Sequence, residues 1–363
     1  MNKWAKTGSV LIGFAGLTAW LVYAKLQPAT IATSTATEPS VPRSAQPILP
    51  AIATVPEIPN PQEVIAQFAR AGTPKLSPAQ IESFLKDKDR SADALLVAFR
   101  LSQDPAYLRE AAKSFPGQPA VQLEVALRAP TTEERQQGID AFKKLSPENP
   151  IGPYLQADLS FSQGDYARAA QGLSETLTSG NLPDPSGALF KNTEAAYLVA
   201  GYSPIESKIA ALFLINQDRT LFLSSLQNVS GNLTQLREQF IQQGDIDAAE
   251  PTVELGLTLG QRIQNQVNPA LLNALVGQAI ERQTLEALDP STPLGTNNET
   301  AQSRLAQLDT LGQEVNGLLL ALQSHPVESM SSEEINQYTR RVQQDGEISA
   351  LKWWIDLKSA TNK

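Results

Sequence analysis

Apolar residues recur every three to four positions along most of the chain from about residue 62, with few β-branched runs. This spacing predicts a series of amphipathic α-helices. The predicted helix starts share one form, in which a capping residue precedes the first turn. Four of them place proline directly after the cap: Ser77-Pro78, Asp104-Pro105, Asn149-Pro150 and Asn268-Pro269. A fifth, Ser331 with Glu334, has the spacing of a capping box. The pattern therefore predicts an all-α fold.

Two proline-rich junctions divide the predicted helices at a regular interval. The segments FPGQP at 115–119 and SPENP at 146–150 align on Pro116 and Pro147, which are 31 residues apart. Proline cannot continue the helix that precedes it, but it fits the first turn of the next helix. A period in the low thirties that carries two helices is typical of an α-solenoid, in which helix pairs stack side by side.

The segment QGDYARAA at 163–170 lies where the two helices of one such pair would meet. Gly164 can end the first helix with a positive φ, and the small residues Ala157 and Ala169 allow the two helices to approach closely. Over 147–178 this arrangement resembles a tetratricopeptide repeat (TPR), with a weaker likeness over 91–147. The resemblance implies a curved row of TPR-like helix pairs whose concave surface holds a peptide or a partner protein.

The sequence also departs from that family pattern. Pro153 and Gln156 stand where the family places a large aromatic residue and a leucine, and Thr176 replaces the usual alanine. A second segment, QGDIDAA at 243–249, repeats the motif without the proline junction and is followed by Pro251. We expect it to form a helix hairpin of the same kind.

The proline and glycine turn signals also set the predicted domain boundaries. TPR-like helical repeats are expected over 62–185, and a second helical subdomain, a C-terminal helical bundle, over 186–363. One apolar stripe in this bundle predicts a packed helix, with a coiled-coil seam as the alternative: Leu305, Leu308, Leu311, Val315, Leu318, Leu319 and Leu322. Trp353 and Trp354 are expected to close the core, with one of them exposed, because adjacent residues cannot share a helix face.

The N-terminus has the pattern of a membrane anchor. Residues 7–24 carry no charge, while Lys3 and Lys6 precede them. Eighteen helical residues span roughly 27 Å, close to a hydrocarbon core of about 30 Å. We therefore expect a transmembrane helix or signal anchor over 7–25, with residues 1–6 in the cytoplasm and the body in the periplasm of a bacterium. The alternative is a cleaved signal peptide, which would leave a soluble periplasmic or secreted protein. Eight prolines over 27–61 predict a disordered linker at 26–61.

Composition narrows the possible chemistry. The 38 acidic residues outnumber the 29 basic residues, so a nucleic-acid surface is not expected. The absence of cysteine excludes disulfides, thiolate metal sites and cysteine nucleophiles. The single histidine, His325, is expected to cap helix carbonyls. Glu206-Ser207 resembles the Glu-Ser pair of lytic transglycosylases, but the Gly-Leu-Met-Gln-like element of those enzymes is missing. No catalytic residue, cofactor or metal site is predicted.

The sequence therefore favours a membrane-anchored scaffold for protein–protein interaction. Exposed polar positions on the first helix of each pair are the expected partner-binding surface, with Gln122, Tyr154 and Asp158 as candidates. A structural spacer without a dedicated ligand is one alternative. An envelope enzyme that acts on glycans through Glu206 is another.

Overall fold

The computed structural model of the chain describes residues 60–177, 180, 182, 186–266, 270–295 and 299–361. Within these residues the fold is all-α, with fifteen α-helices that pack against their neighbours. The helices are α1 (Pro61–Ala71), α2 (Pro78–Asp87), α3 (Ala92–Ser102), α4 (Pro105–Ser114), α5 (Pro119–Arg128), α6 (Thr132–Leu145), α7 (Ile151–Ser162), α8 (Tyr166–Ser174), α9 (Ser186–Val199), α10 (Pro204–Gln242), α11 (Ile246–Gln264), α12 (Leu271–Glu286), α13 (Ala301–Ser324), α14 (Ser332–Asp345) and α15 (Glu347–Thr361). A short antiparallel pair, β1 (Pro293–Leu294) with β2 (Glu299–Thr300), leads into α13, and a 3₁₀ turn (Val327–Ser329) follows it.

Most predicted helix starts are confirmed at the level of the cap. Ser77 forms a full capping box with Gln80, and Ser331 forms one with Glu334. Asp104 accepts a hydrogen bond from the backbone N–H of Ala106 at the start of α4. Helix α7 begins one residue later than expected, at Ile151, where Asn149 Oδ1 accepts from the Ile151 N–H. The predicted start at 268–269 lies outside the described residues.

The first eight helices include three consecutive pairs, α3–α4, α5–α6 and α7–α8, and each pair packs against the next. The first helices of the pairs, α3, α5 and α7, also contact one another in order. The two proline junctions fall between pairs as expected, at the turns before α5 and α7. This arrangement is compatible with a helical repeat fold.

The two Gly-Asp segments form the same turn. Gly164 has φ +75° and Gly244 has φ +79°. Asp165 caps α8 by accepting from the Arg168 N–H, and Asp245 caps α11 by accepting from the Ala248 N–H, each at 3.1 Å. The second copy is therefore a helix hairpin, formed by α10 and α11, as the sequence predicts.

Helix α10 contributes side chains to both hydrophobic cores of the fold. It has 39 residues, so it spans about 58 Å. Its first part, 205–215, belongs to a core that also contains residues of α1–α5, α9 and α13–α15. Its later part, 223–236, belongs to a second core with residues of α6–α8, α11 and α12. Both cores draw on residues from either side of the predicted boundary at 185/186, and that boundary stays a prediction.

The membrane-related predictions lie largely outside the described residues. The expected cytoplasmic segment 1–6, the transmembrane helix 7–25 and nearly all of the linker 26–61 precede Asn60, where the description begins. Pro61, expected at the end of the linker, is the first residue of α1. None of the helices in the described residues has the length and apolar character needed to span a membrane.

Candidate functional site

The side of the helix pairs expected to receive a partner is covered by the chain itself. Helix α9 packs on α2 and α3, and α10 packs on α1 and α7. Two of the three predicted contact residues, Tyr154 and Asp158, therefore contact later helices of the chain. Tyr154 Oη accepts a hydrogen bond of 3.1 Å from Arg262 Nη1 of α11. Asp158 of α7 interacts with Ser225 and Asn228 of α10.

This arrangement corrects the expectation that Gln122, Tyr154 and Asp158 are exposed. Tyr154 is 1% exposed and Gln122 is 7% exposed. The Gln122 amide donates to the Pro116 carbonyl oxygen at 3.1 Å, within the junction before α5. Asp158 is partly exposed, with Arg135 Nη2 at 3.9 Å from its carboxylate. Burial raises the pKa of Asp158, and attraction to Arg135 opposes that rise.

A cavity of about 150 Å³ remains between the helix pairs and helices α9 and α10. Its walls are mostly apolar, formed by side chains from α3, α5, α9 and α10: Leu96, Val97, Leu123, Leu127, Leu189, Ile215 and Phe222. The exposed lining residues Asp93, Ala120 and Ala188 form what we call the cavity mouth. The cavity is thus partly enclosed and reachable from solvent.

Four charged side chains form a cluster in the wall of this cavity. Arg100 of α3 donates to Glu124 of α5 through Nη2 at 2.6 Å and through Nε at 3.2 Å. Arg128, one turn beyond Glu124, donates to Asp218 of α10. Glu124 is only 2% exposed, and the other three are 14–16% exposed. The cluster therefore joins two helix pairs to α10 by paired charges largely removed from water.

The pKa values in the cluster reflect this burial. Burial raises the pKa of Asp218, although Arg100 and Arg128 attract its charged form. Burial lowers the pKa of Arg100, but attraction to Glu124 and Asp218 outweighs it, so the net pKa is raised. Buried charge pairs seldom add net stability over apolar packing. Charged groups next to an apolar cavity are, however, a common feature of binding sites.

The other residues considered from the sequence take part in caps, ion pairs or hydrogen bonds within the fold. Glu206 accepts from the Ser203 N–H at 2.8 Å and completes the capping box of α10. Glu281 of α12 is fully buried, with Arg304 Nε 2.6 Å from its carboxylate. At His325 the backbone oxygen accepts from Trp354 Nε1 at 2.9 Å. Within the described residues, no group of acidic, histidine or cysteine side chains could hold a metal ion.

Sequence reasoning missed the charge cluster, although one signal was present. Asp218 and Arg219 are the only charged residues between Lys208 and Arg237. Both side chains lie in the wall of the cavity. An isolated charge pair in a long, otherwise uncharged stretch of helix indicates a buried polar contact, because a solvated helix face would carry more charge. The partners of Asp218 on α3 and α5, Arg100 and Arg128, carried no comparable signal.

Comparisons of the chain with protein-family models, with curated proteins and with solved structures found no match.

Proposed function

We propose that this chain is a TPR-like interaction scaffold that binds a protein partner at the cavity mouth rather than along the inner side of its helix pairs. The cavity is the observation that carries the proposal. An apolar, partly enclosed space between two layers of helices is a common form of binding site. Helices α9 and α10 already pack on α3 and α7, the first helices of two of the pairs.

The size of the cavity favours one side chain of a partner over a whole cofactor. Small-molecule sites usually have volumes of about 300–1,000 Å³. A cavity near 150 Å³ can accommodate a benzene-sized group. Partner proteins often bind through one or two large side chains buried in such pockets, with a less important contact surface around them. The mouth residues Asp93, Ala120 and Ala188 would belong to that surrounding surface.

The proposed location of this scaffold rests on the sequence. The segment 7–25, which is uncharged up to Ala24, would anchor the chain in the inner membrane of a bacterium, and the linker 26–61 would hold the helical body in the periplasm. A cleaved signal peptide would instead release the same body as a soluble protein.

Site-specific photocrosslinking tests the proposed function. A benzophenone amino acid replaces Ala120 at the mouth in the full-length chain, and Ala167 serves as the matched control. Both are exposed residues at the second position of a helix. We expect Ala120, and not Ala167, to crosslink to one defined segment of one protein. A synthetic peptide of that segment should then bind the purified chain with one-to-one stoichiometry.

Two results would contradict the proposal. One is the absence of any discrete adduct at Ala120 in the native host, which the spacer alternative predicts. The other is the same set of adducts from Ala120 and Ala167, because that result indicates general stickiness rather than a site.

A further inference from the structure

The charged side chains in the wall of the cavity are paired with one another. Arg128 Nε lies 2.7 Å from Glu124 Oε1, and Asp218 Oδ2 lies 3.1 Å from Arg100 Nε. Arg128 Nε and Asp218 Oδ2 have almost no exposed surface, and the Glu124 side chain is 2% exposed. A group that enters the cavity therefore does not reach these charged atoms.

The amides in the wall also have partners within the fold. Asn273 Nδ2 donates to Gln266 Oε1, and Asn192 Nδ2 donates to the Ala188 carbonyl oxygen at 3.1 Å. Asn273 Oδ1 has no hydrogen-bond partner, but it too has almost no exposed surface. The surface that the wall offers to a ligand is therefore mainly that of its apolar side chains.

The electrostatics of the cavity favour an uncharged, apolar ligand. An ionised group placed here would lose hydration without meeting a net opposite charge, and a hydroxyl held against the apolar walls would lose its water without gaining a partner. A hydrocarbon group has neither cost and gains contacts with the walls. Three arginines and three acidic residues line the cavity, so their formal charges cancel: Arg100, Arg128, Arg219, Asp93, Glu124 and Asp218.

The size of the cavity and one of its side chains favour an aromatic ring. An apolar cavity of about 150 Å³ can bind benzene, and this cavity has that volume. Phe222 of α10 belongs to its wall. Two aromatic rings in contact are stabilised beyond what their buried area provides, so Phe222 favours a ring over an aliphatic group of similar size.

The geometry points to the phenyl ring of a phenylalanine side chain as the ligand of this cavity. The ring matches the cavity in volume, and it has no polar atom that would need a partner there. A tyrosine would enter with its hydroxyl leading, so that the hydroxyl would be buried against the apolar walls. The protein partner as the source of the ring rests on the proposed function above; the preference of the cavity for an unsubstituted ring does not.

Two small probes separate an apolar site from a polar one. Benzene is the unsubstituted ring, whereas hydroquinone carries a hydroxyl at each end, so one hydroxyl is buried whichever end enters first. Binding of each probe to the full-length chain is measured by ligand-observed NMR titration. We expect benzene to bind about tenfold or more tightly than hydroquinone, because a buried hydroxyl without a partner is costly.

One pair of variants assigns this binding to the cavity. Ala120→Trp obstructs the mouth and should abolish the binding of benzene, whereas the matched Ala167→Trp should leave it unchanged. The Ala120→Trp chain also provides the baseline, because any uptake of benzene elsewhere is the same in both chains.

A second pair of variants tests the role of the ring in the wall. Phe222→Leu keeps the wall apolar but removes the ring, so we expect benzene affinity to fall about twofold to tenfold. Phe240→Leu is the matched control and should leave the affinity unchanged. Both phenylalanines belong to α10 and pack, partly buried, against the second core, but Phe240 does not line the cavity.

The outcomes separate this inference from the proposed function. No benzene binding, equal affinity for hydroquinone, or binding that Ala120→Trp leaves unchanged would overturn the phenyl site even if Ala120 crosslinks to a partner. A benzene preference at the cavity without any partner adduct would support the apolar site and count against the scaffold. An adduct whose peptide loses affinity on Phe→Tyr substitution would support both, and a crosslinked peptide that binds without a phenylalanine would overturn the assignment of the ring.

Discussion

Gly260 of α11 and Gly277 of α12 bring two helix backbones into direct contact. A Cβ added at Gly277 would lie 2.6 Å from the Gly260 carbonyl oxygen, and one at Gly260 would lie 2.9 Å from the Gly277 carbonyl oxygen. Backbone atoms cannot give way as flexible side chains can, so these two positions require glycine.

Substitution of Gly277 therefore tests the close approach of these helices. We expect Gly277→Ala to lower the free energy of unfolding by about 1–3 kcal/mol, as for other overpacked cores. Gly231, in the interior of α10, is the matched control because a Cβ there meets no atom within 4 Å. Gly231→Ala should raise stability by about 0.5–1 kcal/mol through helix propensity alone. Urea denaturation measures both, and equal effects of the two substitutions would contradict this packing.

Glu334 links stability to pH through its pair with Lys358. Burial raises the pKa of Glu334, but Lys358, at 2.7 Å, and the capping hydrogen bonds of Ser331 outweigh burial and lower it. A carboxylate with a lowered pKa in the folded state stabilises the protein above its unfolded-state pKa. That contribution is lost as the pH falls through the folded-state pKa.

Glu334→Gln should therefore matter more at neutral pH than in acid. We expect it to reduce the free energy of unfolding by up to about 1 kcal/mol at pH 7 and to have a smaller effect near pH 3, where more of the Glu334 carboxyl is protonated. Urea denaturation at the two pH values measures the difference. An effect that grows in acid would show that the sign is wrong.

At the residue scale, the sequence predicts local features such as helix caps better than it predicts which side chains are buried. The caps at Ser77 and Ser331 depend only on residues within one turn, so spacing alone predicts them. The burial of Tyr154 depends on Arg262, 108 positions away in the chain, and no local pattern indicates that contact. Trp354 is fully buried, but Trp353 is partly buried against the core rather than exposed as expected.

At the scale of elements, the two Gly-Asp turns share backbone geometry but differ in surroundings. Tyr166 in the first turn packs edge-on against Phe161, with ring centroids 5.8 Å apart. Ile246, its counterpart in the second turn, is 60% exposed. The turn is therefore specified by glycine and aspartate, and not by the apolar residue that follows them.

Because the turn depends on glycine and aspartate and not on the next residue, the aspartate cap should contribute equal stability in both turns. We expect Asp165→Ala and Asp245→Ala each to cost about 1 kcal/mol, because each removes one cap hydrogen bond of the same length. Replacing each aspartate by asparagine should restore most of the loss. Urea denaturation of the four variants measures this, and a difference of more than about 1 kcal/mol between the two alanine variants would show that the surroundings matter more than the turn.

Helix α13 shows how far an apolar stripe predicts packing. Leu308, Val315 and Leu322, spaced by seven, are buried, whereas Leu311 is exposed. The helix packs on α12 and α15, as expected for a helix of the bundle. The sequence predicted the helix and its packed character, but it did not predict how narrow the buried stripe is, because that depends on the position of the neighbouring helices.

At the scale of the whole molecule, the main difference from the sequence prediction is that α9 and α10 pack on first helices of the pairs, where a partner was expected. Sequence alone predicted the fold class, the helix pairs and the α10–α11 hairpin, since each has local signals. It could not predict that α9 and α10 lie on the earlier helices, because pairing between distant amphipathic faces has no local signature. The cavity and its charge cluster arise from that pairing, so they were missed as well.

The central claim is that a partner binds at the cavity mouth, and one affinity comparison tests it most directly. The peptide identified by crosslinking at Ala120 is titrated calorimetrically into three full-length chains: the unchanged chain, Ala120→Trp and Ala167→Trp. We predict that Ala120→Trp weakens binding by about tenfold or more, because the indole obstructs the pocket for the anchoring side chain, and that Ala167→Trp leaves the affinity unchanged. Equal affinity for all three chains would contradict the claim.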